Sequence, residues 1–234
     1  MRRTFPIAAL LCALALAAAL PAAGRPEKNV DLVWVAPDFA SFGVHSIALL
    51  PVVTYDGSVE ARRTVESGIV STFPRDAYRW VSPIVSRDEI VNAGGDSLLK
   101  ALGEPVLKVG RLDSLAAPAC SRLLHVRALL TVRVDQFEKR ELRFDESGKP
   151  TTTIQIHAAL VDSTGRLLWS ASGTENAEGP YQDPSTNPIG VNASGLNNQP
   201  ITNQGGAPSF QETLRTLLAR IVASFPGATA GAGK

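Results

Sequence analysis

The chain has 234 residues, of which 44% are hydrophobic, and carries 23 Lys+Arg against 22 Asp+Glu. Charge this balanced supplies no overall basic field to recruit nucleic acid or an anionic membrane, and the apolar content is enough for a packed core. Two cysteines, Cys12 and Cys120, leave little scope for disulfide chemistry.

Arg2 and Arg3 precede an unbroken apolar run of 14 residues from Ile7 to Leu20, and small residues follow at Ala22, Ala23 and Gly24. This order of charge, apolar core and small-residue exit predicts a secretory signal peptide over 1–24, since a bilayer-spanning helix needs roughly 20 apolar residues. An uncleaved membrane anchor is the competing reading. Cys12 follows Leu10 and Leu11 inside the apolar core, so it lacks the small-residue site that lipidation and cleavage require. Removal of 1–24 leaves 210 residues with a charge of about −1, and Cys120 as the remaining cysteine. An exported chain without a disulfide must rely on its hydrophobic core. The length fits one ordinary domain with extensions or two very small ones.

A leader segment is expected over 25–43, followed by a buried strand from Val44 to Val53 that Pro51 moves toward a strand end or edge. The turn Asp56-Gly57 leads into a helix with Val59, Ala61, Val65, Ile69, Val70 and Phe73 on one side, and Pro74 stops it. Tyr78, Trp80 and Val81 read as a short strand. Ser86 then caps a helix that Gly94-Gly95 ends, and a second short helix follows over 96–103. Pro118 fits the first position of a helix carrying Cys120, Leu123 and Leu124.

The clearest period of two begins at Arg127, with Ala128, Leu130, Val132 and Val134 on one face and Leu129, Thr131, Arg133 and Asp135 on the other. Ile154, Ile156, Ala158 and Leu160 alternate likewise, and Asp162-Ser163-Thr164-Gly165 turns the chain toward Leu167 and Trp169. Three antiparallel strands in two hairpins follow, with one wet or partner-facing side. Residues 176–208 are rich in Pro, Gly, Asn and Gln and read as a long flexible loop, or as one that orders against a partner. Phe210, Leu214, Leu217, Leu218, Ile221, Val222 and Phe225 form the stripe of a closing amphipathic helix, and 226–234 reads as a disordered tail. The expected fold is therefore a single α/β (α+β) domain over 44–225, a mixed sheet ending in a three-strand antiparallel meander with helices packed on it.

Three segments resemble a known family. Ser46–Val53, Ala128–Val134 and above all Ala159–Ser170, with its LVD-x-TG-x-LLW hairpin, resemble the exported bacterial α/β domains of the CsgG, LpoB and TolB N-terminal type. In that hairpin Asp162 can fix the turn, Gly165 can take the left-handed position and Trp169 can seal the core. The resemblance implies a periplasmic accessory role with envelope protein partners, outer-membrane association in many members, and self-association in the ring formers. Members are commonly lipoproteins, and the lipobox is missing here. Channel formers carry long lipid-facing hairpins, whereas the long hairpin here bears Glu138, Lys139, Arg140, Glu141 and Arg143, so no transmembrane pore is expected.

Catalytic material is scarce. His45, His125 and His157 occur singly, without HxxxH or HExxH spacing. Gly95-Asp96-Ser97 lacks the second glycine of a nucleophile elbow, and neither a phosphate loop nor a dinucleotide fingerprint occurs. We assign no catalytic, cofactor-binding or metal-binding residue and no cofactor. The expectation is a non-enzymatic cell-envelope accessory protein; the alternative is a periplasmic hydrolase or small-ligand binder using His157 and nearby acids on the open sheet face.

Overall fold

A computed structural model of the chain describes residues 30–143, 146–183 and 206–227. The apolar run Ile7–Leu20, Cys12 and the expected cleavage site lie outside these residues, as do 184–205 of the expected loop and 228–234 of the tail.

The described chain folds as a mixed α/β layer structure. It begins with β1 (Val30–Val35), a 3-10 turn at Phe39–Phe42, β2 (Ser46–Leu49) and β3 (Val53–Thr54). Next come α1 (Val59–Thr72), β4 (Arg79–Val81), α2 (Pro83–Val109) and α3 (Ala116–Leu123). The meander β5 (Ala128–Arg140), β6 (Thr151–Asp162) and β7 (Leu167–Glu178) leads to α4 (Phe210–Ala223). Among the described residues seven strands make one sheet in the order β1-β7-β6-β5-β2-β4, with β3 also pairing with β5. β2 runs parallel to β4 and β5, and the β5-β6-β7-β1 half is antiparallel.

The sheet has a core on each side of β5. α1 and α4 bury Val65, Ile69, Leu214, Leu217, Leu218 and Ile221 against Leu130, Val132, Ile154, Ile156 and Leu160. On the opposite side α2 and α3 bury Ile90, Leu102, Leu112, Cys120 and Leu124 against Ala48, Leu129 and Val161. Burial there pushes the Cys120 thiol pKa up to about 11, so it stays protonated and inert. Trp169 closes the first core: its ring makes edge-on contacts with Phe73 and Phe225 at centroid distances of 6.3 and 4.9 Å, and its Nε1 donates to the Ser224 carbonyl at 3.1 Å.

The 162–165 hairpin forms as its residues require. Asp162 Oδ1 accepts from the backbone N–H of Thr164 at 2.7 Å and of Arg166 at 3.0 Å, and Gly165 takes φ +85°. Arg166 then reaches back to the Asp38 carboxylate at 3.0 Å and lies 4.6 Å over the Phe42 ring. This clamp fastens the segment after β1 onto the hairpin.

Several elements differ from the sequence reading. The leader contains β1, whose near-continuous V-D-L-V-W-V run lacks the alternation that marks a half-buried strand and whose partner β7 lies far along the chain. The second long helix starts at Ser82, whose side chain accepts from Val85 N–H at 3.3 Å, and not at Ser86, which is buried within the first turn. Pro83 at the first helical position is the signal for that start. The α2 span divides at Gly94-Gly95 as the sequence reading expects, with Gly95 non-helical at φ +68°, but the second helical stretch runs on to Val109, beyond the expected 103. α3 opens at Ala116, two residues before Pro118, because Asp113 Oδ1 accepts from Leu115 and Ala116 N–H at 3.0 and 2.8 Å. Residues 176–178 belong to β7, and Pro226 is held by Tyr78, whose hydroxyl donates to its carbonyl at 2.7 Å.

Two substitutions test this architecture. Trp169→Ala should cost about 3–5 kcal/mol of unfolding free energy in urea titration. Gly165→Ala should cost about 2–3 kcal/mol, because a Cβ there would stand 2.6 Å from the Ser114 Cα on a backbone already at φ +85°.

Candidate functional site

Helix cover is uneven across the sheet. On the α2–α3 side the helices pack on β2, β3 and β5. Beyond β5 the same face is only half-covered. Register places Arg133, His157, Ser172 and Leu32 in one row across β5, β6, β7 and β1, with Thr131, Ala159, Ser170 and Trp34 in the next. The row grades from packed to open. Thr131 is buried, its hydroxyl donating to the carbonyls of Gly110 and Ala159 at 3.3 and 3.1 Å. His157, Ser170 and Ser172 are half-buried.

The free edge of the sheet beyond them is apolar. Leu32, Val33, Trp34 and Val35 expose 74%, 46%, 44% and 39% of their surface. Ala36 N–H donates to the Leu168 carbonyl at 2.8 Å, so the alternation of an antiparallel ladder turns Trp34 and Leu32 toward β7. The backbone N–H and C=O of Val33 and Val35 therefore point away from the sheet. An edge with outward backbone groups and apolar side chains on both faces is a template for another strand.

The histidines do not assemble into one centre. His157 lies in mid-strand on β6, against Gly110 at the C-terminus of α2, where an added Cβ would stand 2.5 Å from the imidazole. Arg133 beside it is committed elsewhere: it pairs with Asp135 at 2.5 Å, donates to the Leu107 carbonyl at 3.0 Å and sits 5.4 Å over the Tyr55 ring. Burial, and then the Arg133 guanidinium, lower the His157 pKa from the ordinary 6.5, with Asp135 opposing them. The acid nearest His157 is thus tied to an arginine.

His45 and His125 line a different, shallow cleft at the amino ends of β2 and β5, together with Arg79, Arg122, Arg127 and Ser163. His157 lies five positions along β6 from Asp162 at the end of the strand, about 17 Å at strand rise. Among the described residues no group of three His, Cys, Asp or Glu is placed to hold a metal ion. A cleft of about 500 Å³ between the end of β2 and the second half of α2 is lined mainly by aliphatic side chains, including Leu50, Val53, Leu99, Leu102 and Leu107. Among the described residues no helix is long and apolar enough to cross a membrane.

The apolar β1 edge escapes sequence reasoning because its exposure depends on which strand lies at the end of the sheet. The only signal at that level is the apolar run Leu32–Val35 after Asp31.

No family model matches this chain, and no curated protein matches it. Solved structures resemble it at low identity. The lipoprotein GNA1162 from Neisseria meningitidis is 16% identical with a TM-score of 0.43, over 64% of this chain and 94% of that one. The PelC dodecamer from Paraburkholderia phytofirmans is 14% identical with a TM-score of 0.43, over 82% and 94%. The LpoB C-terminal domain from Salmonella enterica is 18% identical with a TM-score of 0.34, over 56% and 82%. Likeness at this level assigns neither a family nor an activity.

His157 gives the site a pH signature. Its depressed pKa means the unfolded chain binds the proton more readily, so its contribution to stability is full above pH 6.5 and is lost as pH falls through the lower folded value. Glu66, raised by burial, acts in the opposite sense, and comparison with a variant cancels it. The urea midpoint of His157→Gln should fall less than that of the parent chain between pH 7 and pH 5.

Proposed function

We propose that this protein is an exported cell-envelope accessory factor that works by docking a protein partner and has no catalysis of its own. The observation that carries this reading is the β1 edge: outward backbone groups at Val33 and Val35, flanked by the exposed side chains of Leu32 and Trp34. A partner segment adding a strand there gains main-chain hydrogen bonds from the edge and side-chain contacts from both faces. The charged, apolar and small-residue order of 1–24 supports export, and the periplasm is the compartment it implies. His157 stands apart from His45 and His125, which share one cleft, and the Asp135 beside it is paired with Arg133, so a hydrolase reading gains little support from these residues.

Val33→Pro tests the docking mode. Proline deletes an N–H that faces away from β7, so the internal ladder survives while the outward donor is lost. With a photo-crosslinking residue at position 34, the parent chain should capture a discrete envelope protein, and Val33→Pro should reduce that capture about tenfold at unchanged fold. Capture that is indifferent to the proline overturns edge docking. Mass spectrometry of the processed N-terminus in the envelope fraction should find cleavage near residues 22–24; an intact Met1 in the cytosol would overturn export.

A further inference from the structure

We propose that the cleft at the amino ends of β2 and β5 is a binding site for a phosphate-bearing anion. Five basic side chains converge there from separate parts of the chain: His45 before β2, Arg79 at the start of β4, Arg122 at the end of α3, and His125 and Arg127 before β5. The Ser163 hydroxyl from the β6–β7 turn completes the rim.

Local structure uses little of this donor capacity. Arg79 Nη2 donates to the His125 carbonyl at 2.7 Å, and Arg122 Nε donates to the Pro118 carbonyl at 3.2 Å. His45 Nδ1 lies 3.0 Å from the Gly43 carbonyl. The Arg127 side chain makes no hydrogen bond among the described residues. None of the three arginines forms an ion pair among those residues, and no carboxylate lines the cleft. The acid closest in sequence, Asp162, spends its Oδ1 on Thr164 and Arg166 within the turn.

A structural role explains part of the arrangement, since Arg122 complements the α3 dipole and Arg79 caps a carbonyl. It does not explain why three arginines share one cleft without a carboxylate in a chain whose charges otherwise balance, because like charges repel when no anion is present. Backbone strain at the same place points the same way. His125 is the one non-glycine residue with positive φ among the described residues, at +51°, and its turn sets the positions of His125 and Arg127.

The donor set selects the ligand. Guanidinium groups approaching from several sides, with a hydroxyl, suit an acceptor that presents three oxygens, and phosphate does this where a carboxylate presents two. The cleft, about 510 Å³ and shallow, is larger than a bare tetrahedral anion. So open a cleft leaves room for the rest of a larger phosphate-bearing body, either a soluble phosphate ester or the headgroup of an anionic lipid, and both share the recognised chemistry. This site is built from elements other than β1 and does not rest on the docking reading.

The test titrates the folded chain with inorganic phosphate and with glycerol phosphate at constant ionic strength, followed by 15N NMR of arginine Nε and backbone signals. Saturable shifts are expected at Arg79, Arg122, Arg127 and Ser163. The double variant Arg122→Gln/Arg127→Gln should weaken binding about tenfold or more with the rest of the spectrum unchanged. A single Arg79→Gln variant provides an independent check of the same loss. Cosedimentation with phosphatidylcholine vesicles, with and without phosphatidylglycerol, separates the sources. Arginine-dependent binding to the anionic vesicles assigns the headgroup, and phosphate binding without it assigns a soluble ester. Absence of saturable binding at tens of millimolar phosphate, or equal binding by the glutamine variants, overturns the proposal.

Discussion

The structure depends on burying β5 from both sides. Leu130, Val132 and Val134 face α1 and α4, while Leu129 and Thr131 face α2 and α3, so this strand can exist only between two helical layers. The requirement relaxes outward from it. β6 keeps aliphatic residues on the α4 side and His157 and Gln155 on the other, and β7 alternates buried Trp169 and Ala171 with half-open Ser170 and Ser172. By β1 the helices no longer cover the sheet, and apolar side chains meet solvent. The open face and its free edge follow from having two helical layers narrower than the sheet they sandwich.

Much of this was legible in the residues. The period of two in Ala128–Val134 and Ile154–Leu160, the turn chemistry of Asp162 and Gly165, and the apolar stripe of α4 are local signals, and local physics satisfies them. Where the reading departed from the structure, a non-local partner or an overlooked cap decided the outcome. β1 is a strand because β7 offers it a ladder. Asp113 reaches forward to start α3, and the Pro83 ring fixes the start of α2 before Ser86. The expected wet face was right in kind but began too early: Leu129 and Thr131 are buried, and water-facing alternation starts at Arg133. The basic cleft was invisible because its members come from four separate segments, and net charge averages them away.

The arginines illustrate how context sorts identical side chains. Arg133, Arg166 and Arg220 each meet a carboxylate, Asp135, Asp38 and Glu175 respectively, and so tie elements together. Arg79, Arg122 and Arg127 crowd one another with no such counterpart. Partial burial holds the Arg133 and Arg220 pairs together, while the more exposed Arg166 pair gains from its seat over the Phe42 ring; the second group retains unsatisfied donors in reach of water.

The pairing of β1 with β7 also bears on how the chain matures. Val35 stands opposite Trp169, so the first of the described strands must wait for the last of them. Closing so long a loop is entropically costly, and contacts of this separation form late. Until then Leu32, Val33, Trp34 and Val35 travel as a naked sticky stretch, the kind of segment that holdase chaperones shield. The Asp38–Arg166 contact joins residues on either side of that long loop, so it too can form only once the final hairpin is in place.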